Sequence, residues 1–242
     1  MSKGIIFFSD VHLAEGESRK KERFSRFLSA QKGRAEEIHI LGDLFDFWVG
    51  PQQALVGEFA SVFGILKELA ESGIRITFLA GNRDYYLGKF LERIYGIRFF
   101  EEAREVMVAG KRTFLTHGDL LCTRDRNYRR LRRVVRNRAV ASLFTSLPLN
   151  ISFPLARGLR RHSKRVVEMK PEKERALVEE EVQKIFKNGA QIIISGHTHK
   201  PAKITYMLDK EEKFLYTLGD WERGGSYLEV AGERFDLRSV EG

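Results

Sequence analysis

Five short polar motifs contain the side chains of this sequence that are best suited to chemistry. Their carboxylate, amide and imidazole groups are ligand types that Mn²⁺, Fe²⁺, Zn²⁺ and Mg²⁺ all accept. The Asp-x-His and His-x-His spacings predict alternate side chains on one side of an extended segment, within reach of one ion or an adjacent pair. Each motif alone is ordinary, but four of the six histidines fall within the set, which therefore predicts a metal site. The motifs are Asp10-Val11-His12, Gly42-Asp43, Gly81-Asn82-Arg83-Asp84, His117-Gly118-Asp119 and Gly196-His197-Thr198-His199.

Each motif follows an apolar run that predicts a β-strand. Strands that alternate with helices, followed by an antiparallel tail, predict an α/β fold built on mixed sheets. Because ligands bind beyond the carboxyl ends of strands in such folds, we expect the motifs to converge on one site. His39 lies inside a predicted strand, and we expect it to pack there rather than to bind metal. The predicted strands span 4–9, 38–41, 75–80, 106–108, 113–116, 191–195, 203–208, 213–218 and 226–230, and the predicted helices 18–31, 55–71 and 171–187.

Composition limits the class of protein. A chain of 242 residues with 43% hydrophobic residues is long enough for one good core. Its 18 phenylalanines and 7 tyrosines exclude intrinsic disorder. A single cysteine, Cys122, excludes an intramolecular disulfide framework and a multi-cysteine zinc site. The first residues lack the length and cleavage site of a signal peptide, so we expect a cytoplasmic protein.

One segment, residues 124–170, differs sharply from the rest of the chain. It contains 14 lysines and arginines but only two acids, Asp125 and Glu168, whereas the whole chain carries a net charge of only +9. This contrast is typical of contact with nucleic acid, an anionic membrane or a phosphorylated substrate, although a solvated helix face is the commoner cause of a charge run.

The same segment includes an uncharged stretch over 139–156. Its 18 residues reach the shortest transmembrane length, but Pro148 and Pro154 interrupt it and polar residues dilute it. It suits a surface that meets lipid without crossing the bilayer, and it equally suits a helical hairpin that packs against the body.

The ordered motifs resemble those of the calcineurin-like metallophosphoesterases. That resemblance implies a sandwich of two mixed sheets with flanking helices and two divalent metal ions, for which our prediction is Mn²⁺. Carried over residue by residue, it assigns Asp10, His12, Asp43 and His199 to one ion. It assigns Asp43, Asn82, His117 and His197 to the other ion, so that the Asp43 carboxylate bridges the pair.

Longer strings resemble a narrower family, the UDP-2,3-diacylglucosamine hydrolases of lipid A synthesis. These strings are 41–50, 81–88, 117–125 and 196–202. The resemblance implies a catalytic core over 1–123 and 171–242, with 124–170 inserted as a helical cap that accepts acyl chains. Val167 stands where a further polar contact is expected. The implied substrate contacts are Asn82, Arg83, Asp125, Ser163, Lys170 and His197.

The family resemblance also implies a reaction. Metal-activated water would attack the α-phosphorus of UDP-2,3-diacylglucosamine, giving UMP and 2,3-diacylglucosamine 1-phosphate, with Asn82, Arg83 and His197 as catalytic residues that stabilise charge. Arg83 replaces the histidine of the general motif. Because a guanidinium stays protonated, it suits a phosphate leaving group better than an alkoxide.

The expected partners are therefore an acylated UDP-sugar and, peripherally, the anionic cytoplasmic face of the inner membrane. Nucleic acid is not expected, because the cap contains only three aromatic rings of Phe and Tyr and is mostly aliphatic. Two alternatives stay open: a metallophosphoesterase acting on nucleic acid or a soluble nucleotide diester, and an inactive scaffold that carries a basic binding module. No oligomeric state is predicted.

Overall fold

The strands form two mixed β-sheets in the computed structural model, which describes residues 3–121, 137–168, 177–222 and 224–240. The first sheet has the strand order β11-β10-β1-β2-β3-β4 and the second β5-β6-β7-β9-β8. The strands are β1 (Gly4–Phe8), β2 (Ala35–Ile40), β3 (Arg75–Leu79), β4 (Arg98–Phe100), β5 (Arg104–Val108), β6 (Lys111–Thr116), β7 (Ile192–His199), β8 (Ala202–Leu208), β9 (Glu211–Gly219), β10 (Ser226–Ala231) and β11 (Arg234–Ser239).

Helices lie between these strands. Short 3-10 helices occupy Pro51–Leu55 and Asp119–Leu121. The α-helices are α1 (Ser18–Ser29), α2 (Gly57–Glu71), α3 (Leu87–Tyr95), α4 (Arg138–Ser146), α5 (Leu149–Glu168) and α6 (Glu179–Lys187).

Parallel pairing in each sheet brings the strand ends that precede the motifs to common edges. In the first sheet β1, β2, β3 and β4 are parallel neighbours. In the second sheet β6 and β7 are parallel, and β9 pairs in parallel with β7. The antiparallel strands β5, β8, β10 and β11 lie outside these parallel blocks.

Alternating side chains on the central strands separate the core into layers. Phe7 joins Leu115 and Ile194 in the cluster between the two sheets, whereas its neighbours Ile6 and Phe8 face the helices that cover the first sheet. A period of two along a strand produces this division, because successive side chains point to opposite faces. On the outer face of the second sheet, α6 packs against other residues of β7 and β9.

The predicted fold class, an α/β fold of two mixed sheets with flanking helices, is confirmed. The packing role of His39 is also confirmed, since its buried ring stacks on Phe7 with centroids 4.7 Å apart. Three elements were not predicted, namely α3, β4 and β11. The prediction that the last motif follows its strand is wrong, because β7 continues to His199 through an irregular register after Ser195. The predicted helix start at Pro171 lies outside the described residues.

The described part of the basic segment contains α4 and α5, which are separated at Leu147 and Pro148. Pro154 was expected to interrupt the helical stretch, and this is wrong because it lies inside α5. Proline removes one backbone donor there, while its neighbours Phe153 and Ala156 are buried against the core. None of the described helices is long and apolar enough to span a membrane. The boundaries 124–170 stay a prediction.

Candidate metal centre

Residues from four loops and strand ends of both sheets meet in one cluster that is mostly buried. The ligand atoms of Asp10, His12 and His199 lie within 4.8 Å of one another, and so do those of Asp10, Asp43 and His117. The first sheet supplies the aspartates and His12, and the second supplies the other two histidines. The packing of the two sheets therefore assembles the cluster.

The Asp43 carboxylate uses its two oxygens differently. Oδ1 accepts hydrogen bonds from the backbone amides of Asn82 (2.9 Å) and Arg83 (3.1 Å). Oδ2 lies 3.7 Å from His117 Nε2 and 3.8 Å from His12 Nδ1. Because the two histidines belong to different predicted ligand sets, Asp43 lies where a bridging carboxylate is expected.

Asp10 shows the same division of roles. Its Oδ2 accepts hydrogen bonds from the backbone amide of His197 (2.8 Å) and from Ser9 Oγ (2.6 Å). Its Oδ1 lies 3.4 Å from His199 Nε2 and 3.7 Å from His12 Nε2. In both aspartates, one oxygen accepts hydrogen bonds from the chain and the other faces imidazole nitrogens, although in Asp43 that second oxygen also lies 3.2 Å from Arg83 Nε.

Several buried ligand-type atoms in this cluster make no hydrogen bond to any described residue. They are Asp10 Oδ1, His12 Nδ1, Asn82 Oδ1 and His117 Nε2. Buried polar atoms are normally satisfied, so each such atom needs an explanation. His117 Nδ1 lies 2.8 Å from the Leu41 carbonyl oxygen, which as an acceptor places the proton on Nδ1 and leaves the Nε2 lone pair for a metal. This donor set of oxygen and imidazole nitrogen fits divalent ions.

The backbone at the candidate ligands differs from the expected extended segments. Five of the eight described non-glycine residues with positive φ are candidate ligands: Asp10 (54°), His12 (50°), Asp43 (55°), His197 (70°) and His199 (58°). The prediction of alternate side chains on extended strands is therefore wrong. Backbone hydrogen bonds between the loops after β1 and β2 hold the conformations of Asp10, His12 and Asp43, since the amides of Asp10 and His12 donate to the carbonyls of Gly42 and Asp43.

The two histidines of the last motif diverge as a result. The ring of His197 lies beside that of His117, with centroids 5.2 Å apart. His199 instead approaches His12, and their Nε2 atoms are 3.3 Å apart. The left-handed backbone thus directs the two histidines toward the two different groups of candidate ligands.

Two glycines permit the close approach of the loops. A Cβ atom on Gly81 would overlap the Asp43 carboxylate and amide. A Cβ atom on Gly196 would overlap Ser9 Oγ and Asp10 Oδ2. Any side chain at either position would therefore push a candidate ligand out of place.

The Asp84 carboxylate connects two of the loops that carry candidate ligands. Its buried carboxylate accepts hydrogen bonds from the amides of Asp43 (3.1 Å), Leu44 (2.6 Å) and Gly81 (3.2 Å). It thereby joins the loop after β2 to the loop after β3. Sequence reasoning placed Asp84 in a motif but gave it no role.

Arg83 lies at the border between the cluster and α5. Its Nε is 3.2 Å from Asp43 Oδ2, and its Nη1 donates to Asp46 Oδ1 at 2.8 Å. Arg160 of α5 donates from Nε to the same Asp46 oxygen at 2.6 Å. One carboxylate therefore holds two guanidinium groups side by side. Asp46 had no predicted role, although its place three residues after Asp43 is visible in the sequence.

The pKa values reflect crowded, buried charge. Burial raises the pKa of Asp43. Burial, reinforced by the negative charge of Asp43, raises the pKa of Asp84 to about 7. Burial and the positive charge of His117 lower the pKa of His197 to about 4, so this imidazole is neutral at pH 7, as a metal ligand must be. Burial lowers the pKa of His199, but the adjacent carboxylates outweigh it and raise the pKa to about 10.

The remaining predicted substrate contacts are placed only in part. Asp125 and Lys170 lie outside the described residues. Ser163 and Val167 lie on α5, but only their positions along the helix are described. These contacts, like the metal-ligand assignments, stay predictions.

The fold and this cluster of candidate ligands define the class of protein to which the chain belongs. A family model described as calcineurin-like phosphoesterase matches residues 4–201. The chain belongs to the calcineurin-like phosphoesterases and is a metal-dependent hydrolase, as the motifs predicted.

Named relatives resemble the chain over its whole length. It is 33% identical over 238 residues to a UDP-2,3-diacylglucosamine hydrolase of Pseudomonas putida, which covers 98% of this chain and 99% of the relative. The protein of that name from Ectopseudomonas mendocina is 35% identical over 98% of both chains. The one from Pseudomonas aeruginosa is 35% identical over 93% of this chain and 94% of its own. The narrower resemblance is thereby confirmed.

Proposed function

We propose that the protein hydrolyses the pyrophosphate bond of UDP-2,3-diacylglucosamine, giving UMP and 2,3-diacylglucosamine 1-phosphate. The full-length relatives bear the name of this activity. In the structure, the observation that carries the proposal is the pair of guanidinium groups of Arg83 and Arg160. They share Asp46 between the carboxylate cluster and helix α5, which carries an exposed apolar stripe. A diphosphate that links a nucleotide to an acylated sugar needs cations at such a border.

The proposed metal sites use the predicted ligands. Asp10, His12, Asp43 and His199 would hold one divalent ion, and Asp43, Asn82, His117 and His197 would hold the other. Mn²⁺ is the ion that we propose. Two such ions, when bound, supply Lewis-acid activation of water and neutralise phosphoryl oxygens.

The proposed catalytic residues act on the phosphoryl oxygens. We propose that Asn82, Arg83 and His197 contact the α-phosphate, which would bind beside Asp43. Arg83 cannot act as a general acid, because its guanidinium remains protonated, and its contribution is electrostatic. A sugar 1-phosphate leaves without needing a proton from it, which fits a pyrophosphate substrate.

Helix α5 has the two faces that a cap over an acylated substrate requires. Phe153, Ala156 and Arg160 face the core, where Phe153 packs on Phe47 with centroids 5.5 Å apart. Ile151, Leu155 and Leu159 recur at every fourth position and remain exposed. We propose that this exposed apolar stripe binds acyl chains, each buried CH₂ of which contributes about 0.8 kcal/mol.

The nucleic-acid alternative finds little support in the described cap helices. Their two aromatic residues of the Phe and Tyr type are Phe144 and Phe153, and both pack against the core cluster. Base stacking needs exposed aromatic faces. The aliphatic stripe favours a lipid substrate instead.

An isotope experiment tests the proposed reaction. Hydrolysis in H₂¹⁸O should place the label in UMP, because water is proposed to attack the α-phosphorus. Label found in 2,3-diacylglucosamine 1-phosphate would show attack at the other phosphorus and contradict the assignment. Mass spectrometry of both products distinguishes the outcomes.

We also propose that the protein is cytoplasmic and binds the anionic inner-membrane surface peripherally through the 124–170 cap, whose basic residues attract acidic headgroups. Vesicles with acidic phospholipid should then retain the protein at low salt and release it as the salt concentration rises. Equal retention on neutral vesicles would count against this contact.

A further inference from the structure

The imidazole of His199 has a carboxylate on the side that faces away from the cluster. Its Nε2 lies 3.4 Å from Asp10 Oδ1, and its Nδ1 lies 3.3 Å from Asp220 Oδ2. A carboxylate at Nδ1 keeps the proton on that nitrogen and leaves the Nε2 lone pair for a metal. It also makes the imidazole a stronger ligand.

His117 provides an internal comparison. Its Nδ1 contacts the Leu41 carbonyl, and its Nε2 faces the cluster without a hydrogen-bond partner among the described residues. The two imidazoles thus have the same orientation relative to the cluster. The difference is that a neutral carbonyl orients His117, whereas a carboxylate lies behind His199.

Several contacts hold the loop that carries Asp220. It directly follows β9, whose last residue, Gly219, is in register with His199. The amide of Glu222 donates to Asp220 Oδ1 at 3.1 Å. The next residue, Trp221, is fully buried and packs against Phe24 with ring centroids 5.0 Å apart.

Helix α1 fixes this loop from the other side. Arg23 donates to the Trp221 carbonyl. Lys20 pairs with Glu222 at 2.9 Å and also donates to the His12 carbonyl at 3.1 Å. The loop that carries Asp220 is therefore joined to the loop that carries His12, which is another candidate ligand.

We propose that Asp220 is a positioning residue for the metal centre, which orients His199 and strengthens its bond to the ion held with Asp10 and His12. Asp220 lies beyond residues 4–201, the part that the family model matches, so the C-terminal strands contribute to the site as well. The inference rests on the metal centre of the proposed function and extends it to one further residue.

Direct metal binding tests this role. Calorimetric titration of the metal-stripped full chain with Mn²⁺ should show two ions for the wild type. In Asp220→Ala, the affinity for one ion should fall by about 10-fold or more while the other is unchanged. Asp220→Asn keeps an oxygen that can accept a hydrogen bond from His199 Nδ1–H. Its affinity for that ion should lie between the affinities of the wild type and of Asp220→Ala.

A remote control and a folding check complete the experiment. Asp236→Asn removes a carboxylate that pairs with the exposed Arg234 and Arg238, and the variant should bind both ions as the wild type does. Thermal unfolding of the metal-free variants separates misfolding from weak binding. Wild-type affinities in both Asp220 variants would overturn the inference, and so would a wild-type chain that binds no divalent ion. A wild type that binds two ions without releasing UMP would contradict the proposed function, while the affinities would still decide the role of Asp220.

Discussion

Asp10, His12, Asp43, His197 and His199 adopt a left-handed backbone conformation, which costs about 1–2 kcal/mol per residue for L-amino acids. Such conformations persist when the surrounding structure over-determines them, and they cluster at functional sites. Here the backbone bonds between the loops after β1 and β2 fix Asp10, His12 and Asp43, and the His197 amide donates to the Asp10 carboxylate. The stability of the fold and the geometry of the site therefore oppose each other at these positions.

Two substitutions of His12 test this strain. His12→Gly should be more stable than His12→Ala by about 1 kcal/mol, because glycine adopts positive φ freely. Urea unfolding of the metal-free variants measures the difference. Elsewhere alanine is normally the more stable of the two, so an alanine variant at least as stable as the glycine variant would contradict the strained backbone.

A second prediction at the residue scale concerns the contribution of the Arg83 guanidinium to catalysis. Arg83→Lys keeps the charge but loses the planar fork that reaches both Asp43 and Asp46, so kcat for UMP release should fall on the order of 10²-fold. Arg93→Lys, an exposed change on α3, is the matched control and should leave kcat unchanged. Equal kcat values in the two variants would show that the reaction does not need the planar fork of Arg83.

The sequence predicted which residue types gather at the site, because Asp, His and Asn at strand ends form a chemically consistent set. It did not predict their backbone conformation. Alternation in Asp-x-His suggests an extended chain, and only the contacts between the two loops show that Asp10 and His12 are left-handed.

Among the side chains of α5 that the structure describes, Arg157 and Arg160 form ion pairs with residues outside the helix, and these two pairs differ in burial. The side chains of Arg160 and Asp46 are 24% and 17% exposed, whereas those of Arg157 and Glu15 are each 45% exposed. Exposed pairs contribute little because water screens them and the side chains lose entropy. The Arg160 pair is therefore the stronger of these two electrostatic attachments.

Hydrogen exchange of the α5 amides distinguishes these pairs. Arg160→Gln should lower the free energy of local opening by about 1–2 kcal/mol, since it removes a charged hydrogen bond to Asp46. Arg157→Gln should lower it by about 0–1 kcal/mol. Equal protection in both variants would show that the Asp46 contact does not hold the helix.

At the scale of elements, long periodic segments such as α1 were predicted well, and short ones were not. The strand β4 has three residues, too few for a period, and it forms only because β3 offers an edge. The strand β11 alternates Phe235 and Leu237 with polar residues, but its place depends on pairing with β10. Pro154 remains in a helix because the packing of its neighbours Phe153 and Ala156 against the core outweighs the low helix propensity of proline.

The molecule as a whole joins a metal centre to an apolar surface through one helix. The two sheets contribute candidate ligands from opposite halves of the sandwich, and α5 presents Arg160 to the site and a stripe of leucine and isoleucine outward. Binding of the diphosphate and of the acyl chains should therefore be separable by mutation.

A pair of double variants tests that separation. Leu155→Ala with Leu159→Ala should raise KM for UDP-2,3-diacylglucosamine at least about 10-fold, given about 0.8 kcal/mol per buried CH₂, and leave a deacylated analogue unaffected. The control variant, Ile204→Ala with Met207→Ala, removes a similar exposed apolar area from β8. It should change KM for neither the acylated substrate nor the deacylated analogue. Equal effects of the first variant on both substrates would exclude the stripe from substrate binding.

The convergence of the five motifs was predictable at this scale, because the ends of parallel strands meet at one edge. The neighbours Asp46, Arg160 and Asp220 were not predicted as a group. Their contacts join residues far apart in sequence, such as Asp46 with Arg160, and only the packing of helices and sheets brings them together.

The most direct measurement is UMP release by the metal-stripped protein with UDP-2,3-diacylglucosamine, before and after addition of single divalent ions. We predict no release without metal, release that depends on Mn²⁺, and none from Asp43→Ala under the same conditions. Failure to release UMP with any divalent ion, or turnover of soluble phosphodiesters alone, would contradict the account.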